Sequence, residues 1–166
     1  MSVARTTAEF ESLIAYLAET PAVVERMLSG LTDAEGRWKP PGGEFSALEN
    51  VCHLLDIELE GYAVRIERLL KEDGPALADI DGGRLAKERD YNSRNLETAM
   101  AAFRRAREAN VRVVKGLSPE QLERSGTLET VGPITLRGLL GTMRAHDEAH
   151  RREIEGLRGQ LHDRRD

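Results

Sequence analysis

Two histidines with helical spacing are the residues best suited to chemistry in this sequence. His146 and His150 are four positions apart, so on a helix of about 100° per residue they project from the same side. That side is an apolar stripe that also contains Leu139, Met143 and Ile154. Two buried imidazoles are unfavourable unless their nitrogens are satisfied. A divalent metal ion would satisfy them, because neutral imidazole is a good ligand for zinc, nickel, copper or iron. Two core histidines bonded to backbone carbonyls or carboxylates would explain the spacing equally well.

Asp147 lies at the edge of the same stripe. Its carboxylate could orient one of the imidazoles by accepting a hydrogen bond from the ring nitrogen that does not bind the metal, as carboxylates often do at metal sites. It could equally form an ion pair with Arg144 or Arg151, which are three and four residues away on the same predicted helix.

A third histidine, His53, is ambiguous from its pattern alone. It lies about 140° from the centre of the apolar stripe of its predicted helix, beside Glu49, Asp56 and Glu60. Those neighbours are typical of a solvated polar face. The polar face of a bundle helix can also border a cleft between helices, and a catalytic metal site usually needs three protein ligands. Periodicity leaves both interpretations open.

The elements that would position these residues are helices. Pro21 predicts a kink or break in the first helix. Ser46 and Glu49 have the spacing of a capping box, which would start the second helix. The segment SGTLETVGPI is predicted to be turn-like. The linker over residues 71–90 is long enough to form a crossover or to cover a site. The predicted helices cover roughly residues 7–29, 46–72, 93–115 and 135–160.

We therefore predict an all-α fold. It is a four-helix bundle with long connecting loops, formed by a single domain over residues 1–166. The polar tail from about residue 158 to 166 is expected to fray.

Composition restricts the classes of function. The 166 residues are 40% hydrophobic and 32% charged, with 24 basic and 29 acidic residues and a formal net charge of −5. A protein without a concentrated basic face is not expected to bind nucleic acid, and no apolar run approaches the length of a membrane span. The N-terminus lacks a secretory pattern. The single cysteine, Cys52, excludes an internal disulfide and favours a reducing compartment, so we expect a cytoplasmic protein.

Three sequence motifs together resemble one family, the DinB superfamily. FSALENVCHLLDIE is similar to that family's second-helix motif, W-S-x-x-E-x-x-x-H-L-x-D-x-E, and TLRGLLGTMRAHDEAHRREI is similar to its last helix, which carries H-x-x-x-H. The loop RWKPPGGEF resembles the W-x-P-P segment before the second helix. One departure is Phe45, where many relatives have tryptophan; it affects packing at the start of the helix.

The resemblance implies an up-down-down-up bundle with a three-histidine metal site. Transferred by position, the ligands are His53, His146 and His150. Family members include proposed metal-dependent hydrolases and transferases that use low-molecular-weight thiols such as bacillithiol or mycothiol. For this chain the resemblance implies a small-molecule substrate and a homodimer. We expect zinc or nickel as the metal, with iron or manganese as alternatives, and a low-molecular-weight thiol as a second candidate cofactor.

The sequence does not decide which chemistry such a site performs. Asp56, Glu60 and Glu148 are candidates for proton transfer, although each is equally consistent with a surface acid. Cys52 falls within the apolar stripe and is expected to be a core residue and not a nucleophile. The competing hypothesis is a non-catalytic helical bundle that binds a ligand or partner, with a structural metal or none.

Overall fold

The computed structural model describes residues 2–165 of the chain, with side chains from residue 7 onward. Most of these residues are helical, and a small sheet accompanies the bundle. The α-helices are α1 (Ser2–Leu28), α2 (Asp33–Arg37), α3 (Ala47–Asp56), α4 (Ala63–Lys71), α5 (Gly82–Glu88), α6 (Leu96–Lys115), α7 (Pro119–Leu122) and α8 (Leu136–Asp163). A π-helical segment (Ile57–Tyr62) joins α3 to α4, and a 3₁₀ turn covers Tyr91–Ser93. The strands are β1 (Ala76–Leu77), β2 (Ser125–Leu128) and β3 (Gly132–Thr135).

The long helices form a four-helix bundle that runs up, down, down and up. Its members are α1, the continuous rod of α3 and α4, α6 and α8. Helices α1 and α8 run parallel, because residue numbers increase together along their contacts. Helix α6 is antiparallel to α1, and α3 is antiparallel to α8, because along those contacts the number increases on one helix and decreases on the other. The contacts that show this are Phe10 with Arg137, Tyr16 with Arg151, Leu17 with Arg107, Glu25 with Arg104, His53 with His146, and Asn50 with His150. The predicted fold class and topology are confirmed.

The second bundle helix begins where its capping box predicts. The hydroxyl of Ser46 accepts from the Glu49 amide at 3.0 Å, and the Glu49 carboxylate accepts from the Ser46 amide at 2.8 Å. Further along, the π-helical segment adds one residue to a turn and rotates the following side chains. A regular α-helix would place Leu59 on the apolar stripe, one turn after Leu55; instead Leu59 is 49% exposed, whereas Tyr62 and Ile66 remain buried beyond it.

Pro21 does not break the first helix, contrary to the expected interruption. Helix α1 continues through it from Ser2 to Leu28. Proline has no amide hydrogen, so the carbonyl four residues earlier, that of Leu17, loses its helical donor. Nη1 of Arg107 in α6 donates to that oxygen at 2.8 Å. A side chain from the neighbouring helix thus replaces the missing bond.

The connections contain more structure than the sequence predicts. The segment SGTLETVGPI, expected to be turn-like, forms the antiparallel hairpin of β2 and β3. Strand β1, within the predicted linker, pairs with β2 in parallel. Helix α5 and the 3₁₀ turn follow β1, so residues 76–93 form a structured layer over one side of α3, here called the cover segment.

Most of the C-terminal tail is helical, although residues 158–166 were expected to fray; residue 166 lies outside the described residues. Helix α8 extends to Asp163, because Leu161 is still buried on the bundle. Beyond it, the Arg164 guanidinium lies 4.8 Å from the centre of the Trp38 ring, and Arg165 forms an ion pair with Glu35 in α2. No helix among residues 2–165 combines the length and hydrophobicity that a membrane crossing requires.

Candidate metal centre

The three histidines singled out from the sequence meet between two bundle helices. His53 comes from α3, and His146 and His150 come from successive turns of α8. One ring nitrogen of each lies within 4.8 Å of those of the other two. The two Nε2 atoms of His53 and His146 are only 3.0 Å apart. Antiparallel packing of α3 against α8 therefore produces a compact cluster of three imidazoles.

His53 is buried although its helix position predicts a polar, solvated face. Its side of α3 is covered by α8 and by the cover segment, which leaves the residue 9% exposed. The ring of Phe45 lies 5.5 Å away, centre to centre. Periodicity could not distinguish this arrangement from a solvated one, because both place a polar residue opposite the apolar stripe.

Gly82, at the start of α5, lies directly against the His53 ring. A Cβ atom built on Gly82 would be 2.4 Å from Cε1 and 2.5 Å from Nδ1 of His53. Ordinary van der Waals contact begins near 3.4 Å, so any larger residue at this position would require the His53 ring or the backbone around Gly82 to move. The backbone of the cover segment thus forms one wall of the histidine cluster.

The orientation of His150 is determined by Asn50, which sequence reasoning missed. Nδ2 of Asn50 donates to the Ser46 carbonyl at 3.0 Å, so its Oδ1 is the atom that faces His150. Nδ1 of His150 lies 2.7 Å from that oxygen and must donate to it. The proton is then on Nδ1, and Nε2 presents its lone pair to the cluster. Asn50 precedes His53 by three residues on the same helix, which is the spacing that could have identified it.

Burial keeps two of the three rings, those of His53 and His146, uncharged. Loss of solvation, reinforced by His150, lowers the pKa of His53 to about 4. Loss of solvation also lowers the pKa of His146 to about 2, with His150, His53, Arg107 and Arg65 adding to the effect. Both rings are therefore neutral at physiological pH, which is the form that binds a metal ion.

The cluster fits a divalent transition metal. With zinc–nitrogen bonds of about 2.0–2.1 Å, two ligands of a tetrahedral site lie roughly 3.3 Å apart, close to the observed 3.0 Å between Nε2 of His53 and Nε2 of His146. Without a cation, two nitrogen lone pairs would face each other at that distance unless one carried a proton. Within the described part of the chain, no acceptor reaches Nδ1 of His53. The donor set thus suits a borderline metal that prefers imidazole.

Asp147 does not have the role that its position suggested. Its oxygens accept from Nη1 and Nη2 of Arg107 at 2.6 and 2.9 Å, so it neither orients an imidazole nor pairs with Arg144 or Arg151. The reason is that Asp147 faces α6, where a buried guanidinium needs a counter-charge. Nδ1 of His150 has a second neighbour in addition to Asn50, since a carboxylate oxygen of Glu153 lies 3.4 Å from it.

The three acidic candidates for proton transfer are engaged elsewhere. Asp56 accepts from the Tyr91 hydroxyl at 2.5 Å and from Arg89 at 2.7 Å. Glu60 also pairs with Arg89. The third candidate, Glu148, pairs with Arg144 at 2.9 Å on α8.

Cys52 is a core residue, as expected. It is fully buried, and burial raises the pKa of its thiol to about 11. A thiol held in this way is not a nucleophile at physiological pH.

Comparison with known proteins is consistent with this architecture. YfiT from Bacillus subtilis, described as "a probable metal-dependent hydrolase with an unusual four-helix bundle topology", superposes with a TM-score of 0.84 at 22% identity. The match covers 91% of this chain and 86% of YfiT. No curated protein matches the sequence significantly. The family model of the DinB superfamily matches residues 16–154. The chain therefore belongs to the DinB superfamily.

Proposed function

We propose that this protein is a divalent-metal-dependent enzyme that acts on a small molecule, with His53, His146 and His150 as the metal ligands. The observation that carries the proposal is the convergence of three imidazoles, with one ring nitrogen of each within 4.8 Å of those of the other two. Hydrolysis is the reaction we favour, because YfiT, which shares the fold, is described as a probable metal-dependent hydrolase.

A divalent ion bound by three histidines would polarise a carbonyl or phosphoryl oxygen and lower the pKa of water. The protein's own contribution is to hold the ligands. Asn50 keeps the proton of His150 on Nδ1, and Gly82 closes the outer side of His53. The rings of Phe45 and Tyr62 lie 5.5 and 6.1 Å, centre to centre, from those of His53 and His146, where they add apolar surface around the cluster.

Access to the cluster is from the side of His146. That residue is partly exposed, whereas His53 and His150 are buried. A substrate would therefore reach the ion across His146. Zinc or nickel best matches three imidazoles, with iron or manganese as alternatives. A cytoplasmic location and a homodimer are further parts of the proposal.

Metal analysis of the purified protein and of three single alanine variants tests the site. We expect about one equivalent of divalent metal, and we expect each of His53→Ala, His146→Ala and His150→Ala to bind it at least roughly tenfold more weakly. His162→Ala is the matched control, because His162 is an exposed histidine on the same α8 helix. Metal binding that is unaffected by all three site variants would refute the assignment.

Activity assays separate the reaction classes. The metal-loaded protein is assayed with ester, amide and phosphoester substrates, and separately with an electrophile plus a low-molecular-weight thiol. Turnover that requires only water supports a hydrolase, and turnover that requires the thiol would show an S-transferase instead. If removing the metal lowers the melting temperature and no assay gives turnover, the metal is structural and the enzymatic proposal is wrong.

A further inference from the structure

The centre of the bundle contains a buried ion cluster that is separate from the histidines. It consists of Arg107 with the carboxylates of Glu58 and Asp147, and all three residues are at most 1% exposed. Nε and Nη2 of Arg107 each donate to Glu58 at 2.9 Å. Nη1 and Nη2 donate to Asp147 at 2.6 and 2.9 Å. One guanidinium thus holds two carboxylates in bidentate geometry.

The remaining guanidinium hydrogen reaches a third helix. Nη1 of Arg107 donates to the Leu17 carbonyl in α1, the oxygen that Pro21 leaves without a helical donor. All five N–H groups of Arg107 are therefore used. From α6, this one side chain contacts α1, the π-helical segment and α8.

Both carboxylates belong to the elements that carry the histidines. Asp147 directly follows His146 on α8, and Glu58 comes five residues after His53, roughly 7.5 Å further along the same helical rod. Asn110 of α6 also holds the Glu58 carboxylate, because its Nδ2 donates to Glu58 Oε1 at 2.9 Å. The spacing between the two histidine-bearing helices is consequently set at a point next to the cluster.

Stability alone is a poor reason for such an arrangement. Desolvation of buried ions generally cancels much of their attraction, and apolar residues of similar size often stabilise a core as well or better. A planar guanidinium that grips two carboxylates does, however, impose a definite distance and orientation on them. Ligand geometry at a metal site is sensitive to shifts of about 0.5 Å.

We propose that Arg107 is a positioning residue for the metal centre, a role that rests on the proposed function. It sets the separation and rotation of the two helices that carry His53 and His146 through its bonds to Glu58 and Asp147. The three imidazoles then reach one ion together.

Two variants test this role. Arg107→Lys keeps the charge but cannot bind both carboxylates with a planar fork. The triple variant Glu58→Met, Arg107→Met and Asp147→Leu replaces the cluster with apolar side chains. Folding is checked by thermal unfolding. Zn²⁺ affinity is measured by chelator competition, and the visible spectrum of bound Co²⁺ reports ligand geometry in the folded, loaded molecules.

We expect both variants to bind Zn²⁺ about 10–100-fold more weakly than the wild-type protein and to shift the Co²⁺ spectrum. Arg104→Lys is the matched control, since Arg104 lies one turn earlier on α6 and forms an exposed ion pair with Glu25. Wild-type Zn²⁺ affinity and Co²⁺ spectrum in Arg107→Lys, or in a folded triple variant, would overturn the proposal. Failure of the wild-type protein to bind either metal would instead refute the proposed function.

Discussion

The contact between Gly82 and His53 makes a sharp prediction for Gly82→Ala. The new methyl group would lie 2.4 Å from Cε1 of His53, so the ring or the cover segment must move by about 1 Å to restore ordinary contact. The cover segment is tethered on both sides of Gly82. Arg65 donates to the Ala78 carbonyl at 2.9 Å, and Arg89 pairs with Asp56. We therefore expect the His53 ring to move.

A ligand displaced by about 1 Å should weaken Zn²⁺ binding by about 10–100-fold, and any metal-dependent turnover by a similar factor. Chelator competition measures the affinity, and the spectrum of bound Co²⁺ shows whether the ligand geometry has changed.

Gly83→Ala is the matched control. It adds the same methyl group one residue later in α5, where the nearest atom, Oδ1 of Asp81, is 3.5 Å away. Either substitution alone should favour the helix by about 0.5–1 kcal/mol, so Gly83→Ala should keep both stability and metal affinity. If Gly82→Ala binds Zn²⁺ as tightly as Gly83→Ala, the cover segment does not constrain His53 and the reasoning is wrong.

Three further predictions concern the residues around the site. Asn50→Leu should weaken Zn²⁺ binding by about 10–100-fold because Nδ1 of His150 loses its acceptor. Asn50→Asp keeps an acceptor oxygen and should keep the Zn²⁺ affinity. Equal affinity in both variants would contradict the role of Asn50. In metal-free protein, the unfolding free energy measured in urea should fall as the pH drops from about 6.5 towards 4. Over this range His53 becomes protonated in the unfolded chain, whereas in the folded protein its pKa of about 4 keeps it neutral. That loss should be smaller by about 3 kcal/mol in His53→Gln, and an identical pH dependence would count against burial of a neutral ring. Cys52, with its pKa raised to about 11, should resist iodoacetamide at pH 8 until urea unfolds the protein, as mass spectrometry would show; rapid labelling of the folded protein would contradict its burial.

Features that depend on neighbours in the chain could be predicted from the sequence. The capping box of Ser46 and Glu49 starts the second bundle helix because its two bonds join residues three positions apart. His146 and His150 face the same way because four residues make about one helical turn. His53 was added to this pair only through the family motifs, and the structure brings all three residues together.

Features that depend on distant residues required the tertiary structure. Whether His53 faces water or a cleft was decided by α8 and by Gly82, which is 29 positions away in the chain. The partner of Asp147 was decided by Arg107, 40 residues away, which also supplies the bond that Pro21 removes from α1. The π-helical turn that exposes Leu59 and the pairing of β1 with β2 are likewise absent from local periodicity. A helical pattern specifies which side chains share a face, but the free energy of burying a polar face depends on which groups from elsewhere in the chain pack against it.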